Sequence, residues 1–354
     1  MWLLLLLLLV LVVLVLSRRP STRQIQPFRY DTELQTYPTR KNYIALATVA
    51  ADIYNLAIPN TTPTASRVET WSLEHGLIQS QVLYTTESIV TAIGIKSQPL
   101  GLIAKIADDP TTGLIVFRGS QTAVDWINNV NFVQTDLSMA GKDFPSGVGI
   151  TTGYAKLYSN GLATQTVNGC SCTSQCTSIL GKSMCLTQNQ CGQSILGRYY
   201  DTCVVGSGRS LGDSVKAWVL DHPEVSNYIL TGHSLGGAPT TLAALQLRLL
   251  GKNVNAVYTF ASPRIGSPQF ATLYNSYVGS QTFRFTAIND PVPSLPLPIT
   301  PIPNNCFQHV GRVYPVEWWP PNTVCNPKAI AVLQHRAVID PQLFDFVAQQ
   351  LGLQ

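Results

Sequence analysis

In the stretch NYILTGHSLGGAPTTLAAL, residues 227–245, a serine stands between small residues in Gly232-His233-Ser234-Leu235-Gly236. Mostly apolar residues lead into it and an Ala/Leu-rich segment follows, the setting of a strand that turns sharply into a helix. Small neighbours let the backbone take a cramped turn that pushes the hydroxyl outward. The amides that open the following helix face the same spot, where their dipole favours a developing negative charge. Such a hydroxyl becomes a nucleophile only when a base takes its proton and an acid orients the base. The chain offers five histidines. His233 abuts the serine and must point away from it. His222, in LDHPE, reads as a helix end, and His75 lies upstream of the core strands. His309 and His335 remain, both downstream of Ser234. Asp290 closes the run QTFRFTAIND and precedes Pro291, which puts a carboxylate at the carboxyl edge of a sheet, where open α/β folds build their sites.

These residues need a scaffold, and the hydrophobic pattern supplies one. TTGLIVFRGS (111–120) is a short apolar run of the kind that forms a buried parallel strand, and GLIAKIADD (101–109) reads as its hairpin neighbour. SNYILTG (226–232), NAVYTFASP (255–263) and QTFRFTAIND (281–290) repeat the strand signature. YIALATVAADIY (43–54), LGDSVKAWVLDHP (211–223) and APTTLAALQLRLLG (238–251) are helical in period and composition, with Gly251 as a stop. Alternating strands and helices predict a mostly parallel sheet with flanking helices. Pro239 sits within the first turns of the helix after Ser234, where it removes a donor. Residues 168–205 break the pattern. They hold six of the eight cysteines with little apolar periodicity, and are expected to be a disulfide-rich surface insertion.

At 354 residues, with 45% hydrophobic and 12% charged residues, the chain is long and apolar enough for a sizeable core, which excludes a disordered chain. The net charge of +4 and the lack of any Lys/Arg cluster beyond Arg18 and Arg19 argue against a nucleic-acid partner. The opening MWLLLLLLLVLVVLVLSRRP is a targeting device: residues 1–17 are expected to be a secretion leader, with an uncleaved membrane anchor as the alternative. Residues 18–354 then form a single domain carrying the insertion. Cys170, Cys172, Cys176, Cys185, Cys191, Cys203, Cys306 and Cys325 form no C-x-x-C pair, so four disulfides are expected rather than a zinc site. Asn60-Thr61-Thr62 is the one glycosylation sequon, in keeping with export.

Three blocks, IVFRGSQTAVDWINNVNF (115–132), LTGHSLGGA (230–238) and NDPVPSLP (289–296), make the sequence resemble the class 3 lipases, α/β-hydrolases typified by secreted fungal triacylglycerol lipases. TGYAKLY (152–158) and FQHVGRVYPVEWW (307–319) are weaker landmarks. The resemblance implies an α/β-hydrolase fold, with the chain order Ser, Asp, His expected of it. It makes Ser234 the nucleophile, Asp290 the acid and His335, in VLQHRAVID, the base, with His309 as a second histidine lining the site. Ser120 and Leu235 match the oxyanion-hole donors. Ala123, Val124, Trp126, Ile127 and Val130 share one side of a helical wheel, with Asp125, Asn128 and Asn129 opposite. By itself that reads as a docked surface helix; the resemblance makes Val124, Trp126 and Ile127 part of a lid that opens at an oily surface. In the Pro-interleaved PVPSLPLPITPIP (291–303), a stiff extended loop, Leu295, Leu297 and Ile299 are candidates to wall an acyl groove.

The expected function is therefore cofactor-free, metal-free hydrolysis of lipid carboxylic esters at an oil–water or membrane interface, by a secreted serine hydrolase with no obligatory protein partner. Alternatives are a phospholipase A1 or feruloyl-type esterase of the same fold, or a non-catalytic binding protein using the Cys-rich insertion. An extracellular or lumenal membrane-anchored form is the alternative localisation. Departures from the family pattern are Pro239 and the insertion.

Overall fold

The computed structural model describes residues 29–57, 63–86, 97–120, 132–159, 163–167, 170–179, 182–189, 209–299, 305–320 and 326–354. Its strands are β1 (Leu77–Thr86), β2 (Ser97–Ile106), β3 (Thr112–Phe117), β4 (Gln134–Asp136), β5 (Gly149–Thr151), β6 (Ala163–Val167), β7 (Cys170–Ile179), β8 (Lys182–Asn189), β9 (Asn227–His233), β10 (Asn253–Phe260), β11 (Thr282–Ala287) and β12 (Arg312–Val316). The helices are α1 (Arg40–Leu56), α2 (Ala65–Glu74), α3 (Thr152–Ser159), α4 (Leu211–Asp221), α5 (Gly237–Leu249), α6 (Pro268–Val278), α7 (Pro327–Arg336) and α8 (Phe344–Gln350).

Seven strands make the central sheet, in the order β1-β2-β3-β9-β10-β11-β12. The first three pair antiparallel, and β3, β9, β10, β11 and β12 run parallel to one another. The near-continuous apolar runs read from the sequence have their cause in this arrangement, because both sheet faces are covered. In β3 every residue is buried. Ile115 and Phe117 face a core with Leu230, Trp218, Leu242 and Tyr274, while Leu114 and Val116 face the opposite core with Ile229, Tyr43, Leu46 and Phe283. The first core lies under α3, α4, α5 and α6; the second lies under α1 and α8.

Helix ends follow local chemistry. Thr39 caps α1 by accepting from Asn42 N–H, Ser267 caps α6 by accepting from Phe270 N–H, and Pro268 takes the first helical position of α6. Gly251, at φ +76°, ends α5 as expected, and Lys252 N–H closes the turn on Leu247 O at 2.9 Å. Pro239 leaves α5 intact to Leu249. It is the third residue of the helix, where an N–H would have no intrahelical partner, so the lost donor costs no helical bond.

The insertion differs from a loop braced by disulfides alone. β6, β7 and β8 pair antiparallel in a three-stranded sheet of their own, and the β7–β8 register sets Cys176 opposite Cys185. A ladder of backbone hydrogen bonds needs no apolar periodicity, so the sequence pattern carried no trace of it. Cys191, Cys203 and Cys325, like Asn60 and residues 1–17, lie outside the described residues, and Cys306 forms no disulfide with a described residue. Among the described residues no helix is long and apolar enough to cross a membrane.

Leu230 lies in the strand leading to Ser234 and is fully buried. Leu230→Ala is expected to lower the stability of the fold by about 2–5 kcal/mol, read from urea unfolding.

Candidate active site

Ser234 sits where β9 ends and a 3₁₀ turn, Ser234–Gly236, leads into α5. Its φ is +57°, a left-handed conformation that costs a non-glycine residue roughly 1–2 kcal/mol. The turn is crowded. A Cβ on Gly236 would meet the carbonyl oxygens of Phe117 and Arg118, the latter at 2.7 Å, so only glycine lets α5 start this close to the end of β3. The same crowding appears from the other side, because a Cβ on Gly119 would lie 2.6 Å from Ser234 Cβ.

Asp290 and His335 come together beside this corner. Asp290 follows β11 and is buried; its Oδ1 accepts from Val292 N–H at 2.9 Å. His335, in the last turn of α7, donates from Nδ1 to Asp290 Oδ2 at 2.8 Å. A proton held on Nδ1 leaves the Nε2 lone pair free, the form a general base requires. Ser234 Oγ and His335 Nε2 are both buried and have no hydrogen-bond partner, so the two atoms are not bonded to each other. Catalytic hydrogen bonds are often long before substrate binds.

The opposite wall is the loop after β3. Arg118 N–H donates to Leu100 O at 2.8 Å, and its guanidinium reaches Pro99 O at 2.9 Å and Gly119 O at 2.7 Å. Gly119 N–H donates to Tyr54 Oη at 2.9 Å. Ser120 is half-buried at the end of this loop, and Leu235 is half-buried in the turn whose N–H groups open toward the corner.

The remaining histidines have other duties. His233 is buried between Tyr54 Oη, 2.8 Å from Nδ1, and the backbone oxygen of His335, 3.1 Å from Nε2. Burial, reinforced by the neighbouring His335 imidazole, holds its pKa well below the usual histidine value. His309 donates from Nε2 to Pro293 O at 2.8 Å, pinning the loop after Asp290, and is pushed down to about 3 by burial and then by the positive charge of Arg284. His75 and His222 each place Nδ1 against the oxygen of a tryptophan four residues earlier, at helix ends. Leu295 is half-buried, and Leu297 and Ile299 are exposed on the loop after Asp290. Val124, Trp126 and Ile127 lie outside the described residues. Among the described residues no cluster of three or more His, Cys, Asp or Glu side chains is placed to hold a metal ion.

Residues 208–212, GRSLG, also fit G-x-S-x-G, but Ser210 caps α4, with its side chain accepting from Asp213 N–H and its φ at −64°. The pattern becomes a strained corner only between a strand and a helix.

The profile described as Lipase (class 3) matches residues 114–299, just over half of the chain. The chain belongs to the class 3 lipase family. The secreted mono- and diacylglycerol lipase A of Penicillium cyclopium is 48% identical over 71 residues, which are 20% of this class 3 lipase and 22% of that protein. The chloroplastic galactolipase DONGLE of Arabidopsis thaliana is 23% identical over 243 residues, 63% of this chain and 44% of that one. This chain thus spans less than half the length of either relative. The crystal structure of Lip2 lipase from Yarrowia lipolytica covers 82% of this chain and 83% of its own at 14% identity, with a TM-score of 0.49.

Two residues beside this corner carried no mark in the sequence. Tyr54 is one aromatic among the core positions of α1, and Arg118 one cation in a strand-end loop. Each gains its place only through contacts from elsewhere in the chain.

A histidine held neutral by burial makes folding sensitive to acid. Unfolded, the His309 imidazole binds a proton near its ordinary value of about 6.5; folded, it resists until about 3. Its contribution to stability is therefore fully present above about pH 6.5 and lost as pH falls toward the folded value. The urea midpoint should drop on acidification from neutral pH, and His309→Gln should make that drop shallower.

Proposed function

We propose that this chain is a serine hydrolase that cleaves carboxylic esters of lipids, with acylglycerols as the substrate class. The reading is carried by the 2.8 Å bond between buried Asp290 and His335 beside a left-handed Ser234 at a strand-to-helix corner. Ser234 Oγ attacks the ester carbonyl carbon while His335 Nε2 takes its proton, and Asp290 stabilises the imidazolium. The oxyanion is held by the amides of Ser120 and Leu235. As the tetrahedral intermediate collapses, the C–O bond to the alcohol breaks and Nε2 returns the proton to that oxygen. Water, deprotonated by the same nitrogen, then cleaves the acyl-serine and restores the hydroxyl. Val124, Trp126 and Ile127 serve as the lid, and Leu295, Leu297 and Ile299 wall the acyl groove; the exposed side chains of Leu297 and Ile299 suit a lipid interface.

Residues 1–17 direct export, and residues 18–354 act as one secreted domain braced by disulfides. Names among the relatives support this: those from Penicillium cyclopium and Fusarium solani are called secreted mono- and diacylglycerol lipases. A second reading, hydrolysis of polar membrane lipids, rests on broader matches to proteins named galactolipase and phospholipase A1, which align with 63% and 58% of the chain.

A fluorophosphonate probe is expected to label the wild-type chain, and Ser234→Ala to abolish labelling. Asp290→Asn should lower kcat by about 10²–10⁴-fold. A panel of emulsified di- and triacylglycerols, phospholipid and galactolipid decides the substrate class. Wild-type protein that stays unlabelled in detergent would overturn the reading.

A further inference from the structure

A hydrogen-bonded path crosses the floor of the site. Gly119 N–H donates to Tyr54 Oη at 2.9 Å, and Tyr54 Oη lies 2.8 Å from His233 Nδ1. His233 Nε2 lies 3.1 Å from the backbone oxygen of His335. The path has one direction. A carbonyl oxygen only accepts, so His233 carries its proton on Nε2, and an imidazole held neutral by burial then offers Nδ1 as an acceptor. Tyr54, whose hydroxyl is pushed up to about 12 by burial, stays protonated and fills that acceptor. Its oxygen is left to receive the Gly119 amide. Both ends are informative. Gly119 precedes Ser120, and the carbonyl at the far end belongs to His335 itself. The His233 and His335 rings also touch, with centroids 4.7 Å apart and planes tilted by 43°.

We propose that Tyr54 and His233 form a strut that fixes the separation of the oxyanion-binding loop from the base, so that both are positioning residues for the reaction. The inference rests on the serine-hydrolase reading above. The strut is suited to the task because both pieces it joins are otherwise held from outside. Arg118 anchors the loop to the β2 side of the sheet, and Asp290 anchors the imidazole from the end of β11. Neither anchor spans the distance between the loop and the base. Tyr54 also limits approach: a Cβ on Gly119 would lie 2.5 Å from its Oη, so the phenol sets how close the loop comes to the corner. An oxyanion donor displaced by a fraction of an ångström loses much of its value at the transition state while substrate binding is little affected.

The test uses the full chain with a soluble p-nitrophenyl ester in detergent, together with the rate of fluorophosphonate labelling. Tyr54→Phe keeps the ring and removes both bonds. The expected result is a fall in kcat and in labelling rate of about tenfold or more, with KM within about twofold and the thermal midpoint nearly unchanged. Tyr54→Phe combined with His233→Leu should lose no more than the worse single variant, because cutting a strut twice changes nothing. If His233→Leu fails to fold, the Tyr54→Phe rates decide alone. A kcat for Tyr54→Phe within about twofold of wild type, or single losses that multiply in the double variant, overturns the strut while the reactive wild type leaves the hydrolase reading standing. A wild-type chain inert to the fluorophosphonate sinks that reading, and the strut with it.

Discussion

Everything at the carboxyl edge of the sheet depends on how closely the start of α5 approaches the end of β3. Gly236 lies against the carbonyls of Phe117 and Arg118, and Gly119 lies against Ser234 itself. That contact forces the turn after β9 to be short and puts Ser234 at a positive φ, a strain of roughly 1–2 kcal/mol. The strain persists because β3 is wholly buried and β9 and β10 are buried beyond their first residues, so they cannot move apart without opening two cores. Rigid parallel strands thus bring the loop after β3, the corner after β9 and the carboxylate after β11 to one edge.

Many of the polar groups around that edge find partners across the chain. Arg118 is buried yet donates to two backbone oxygens; His309 closes on Pro293 O; His233 is bonded at both ring nitrogens. Ser234 Oγ and His335 Nε2 lack partners, as do Arg284 Nε and Gln334 Nε2. Buried polar atoms without partners are costly, and on the proposed mechanism Ser234 Oγ and His335 Nε2 are left open for the proton they exchange with substrate.

The Cys-rich insertion is built on a different principle. Its three strands pair with one another and not with the central sheet, so the seven-stranded sheet is complete without them. It leaves the chain after α3 and returns before α4, two helices that pack side by side under the same core. An excursion of this kind can be accommodated because its ends are already held together by the helices that flank it.

Ser234 in its strand-to-helix setting, the parallel sheet and the place of Asp290 just after β11 were legible in the sequence, because each follows from local pattern: an apolar run, a cluster of small residues, a turn at Asp-Pro. Residues alone left His309 and His335 open as bases, and the resemblance favoured His335, the one that bonds Asp290. The two G-x-S-x-G patterns, at residues 208–212 and 232–236, are alike as strings, and only the fold makes one a helix cap and the other a strained corner. Tyr54, Arg118 and the true office of His233 were invisible, since their partners lie 65, 19 and 102 residues away. Local sequence determines strands, helices and turns through short-range sterics and burial. Which distant donor meets which acceptor is decided only when the sheet closes, because a hydrogen bond depends on separation in space and not along the chain.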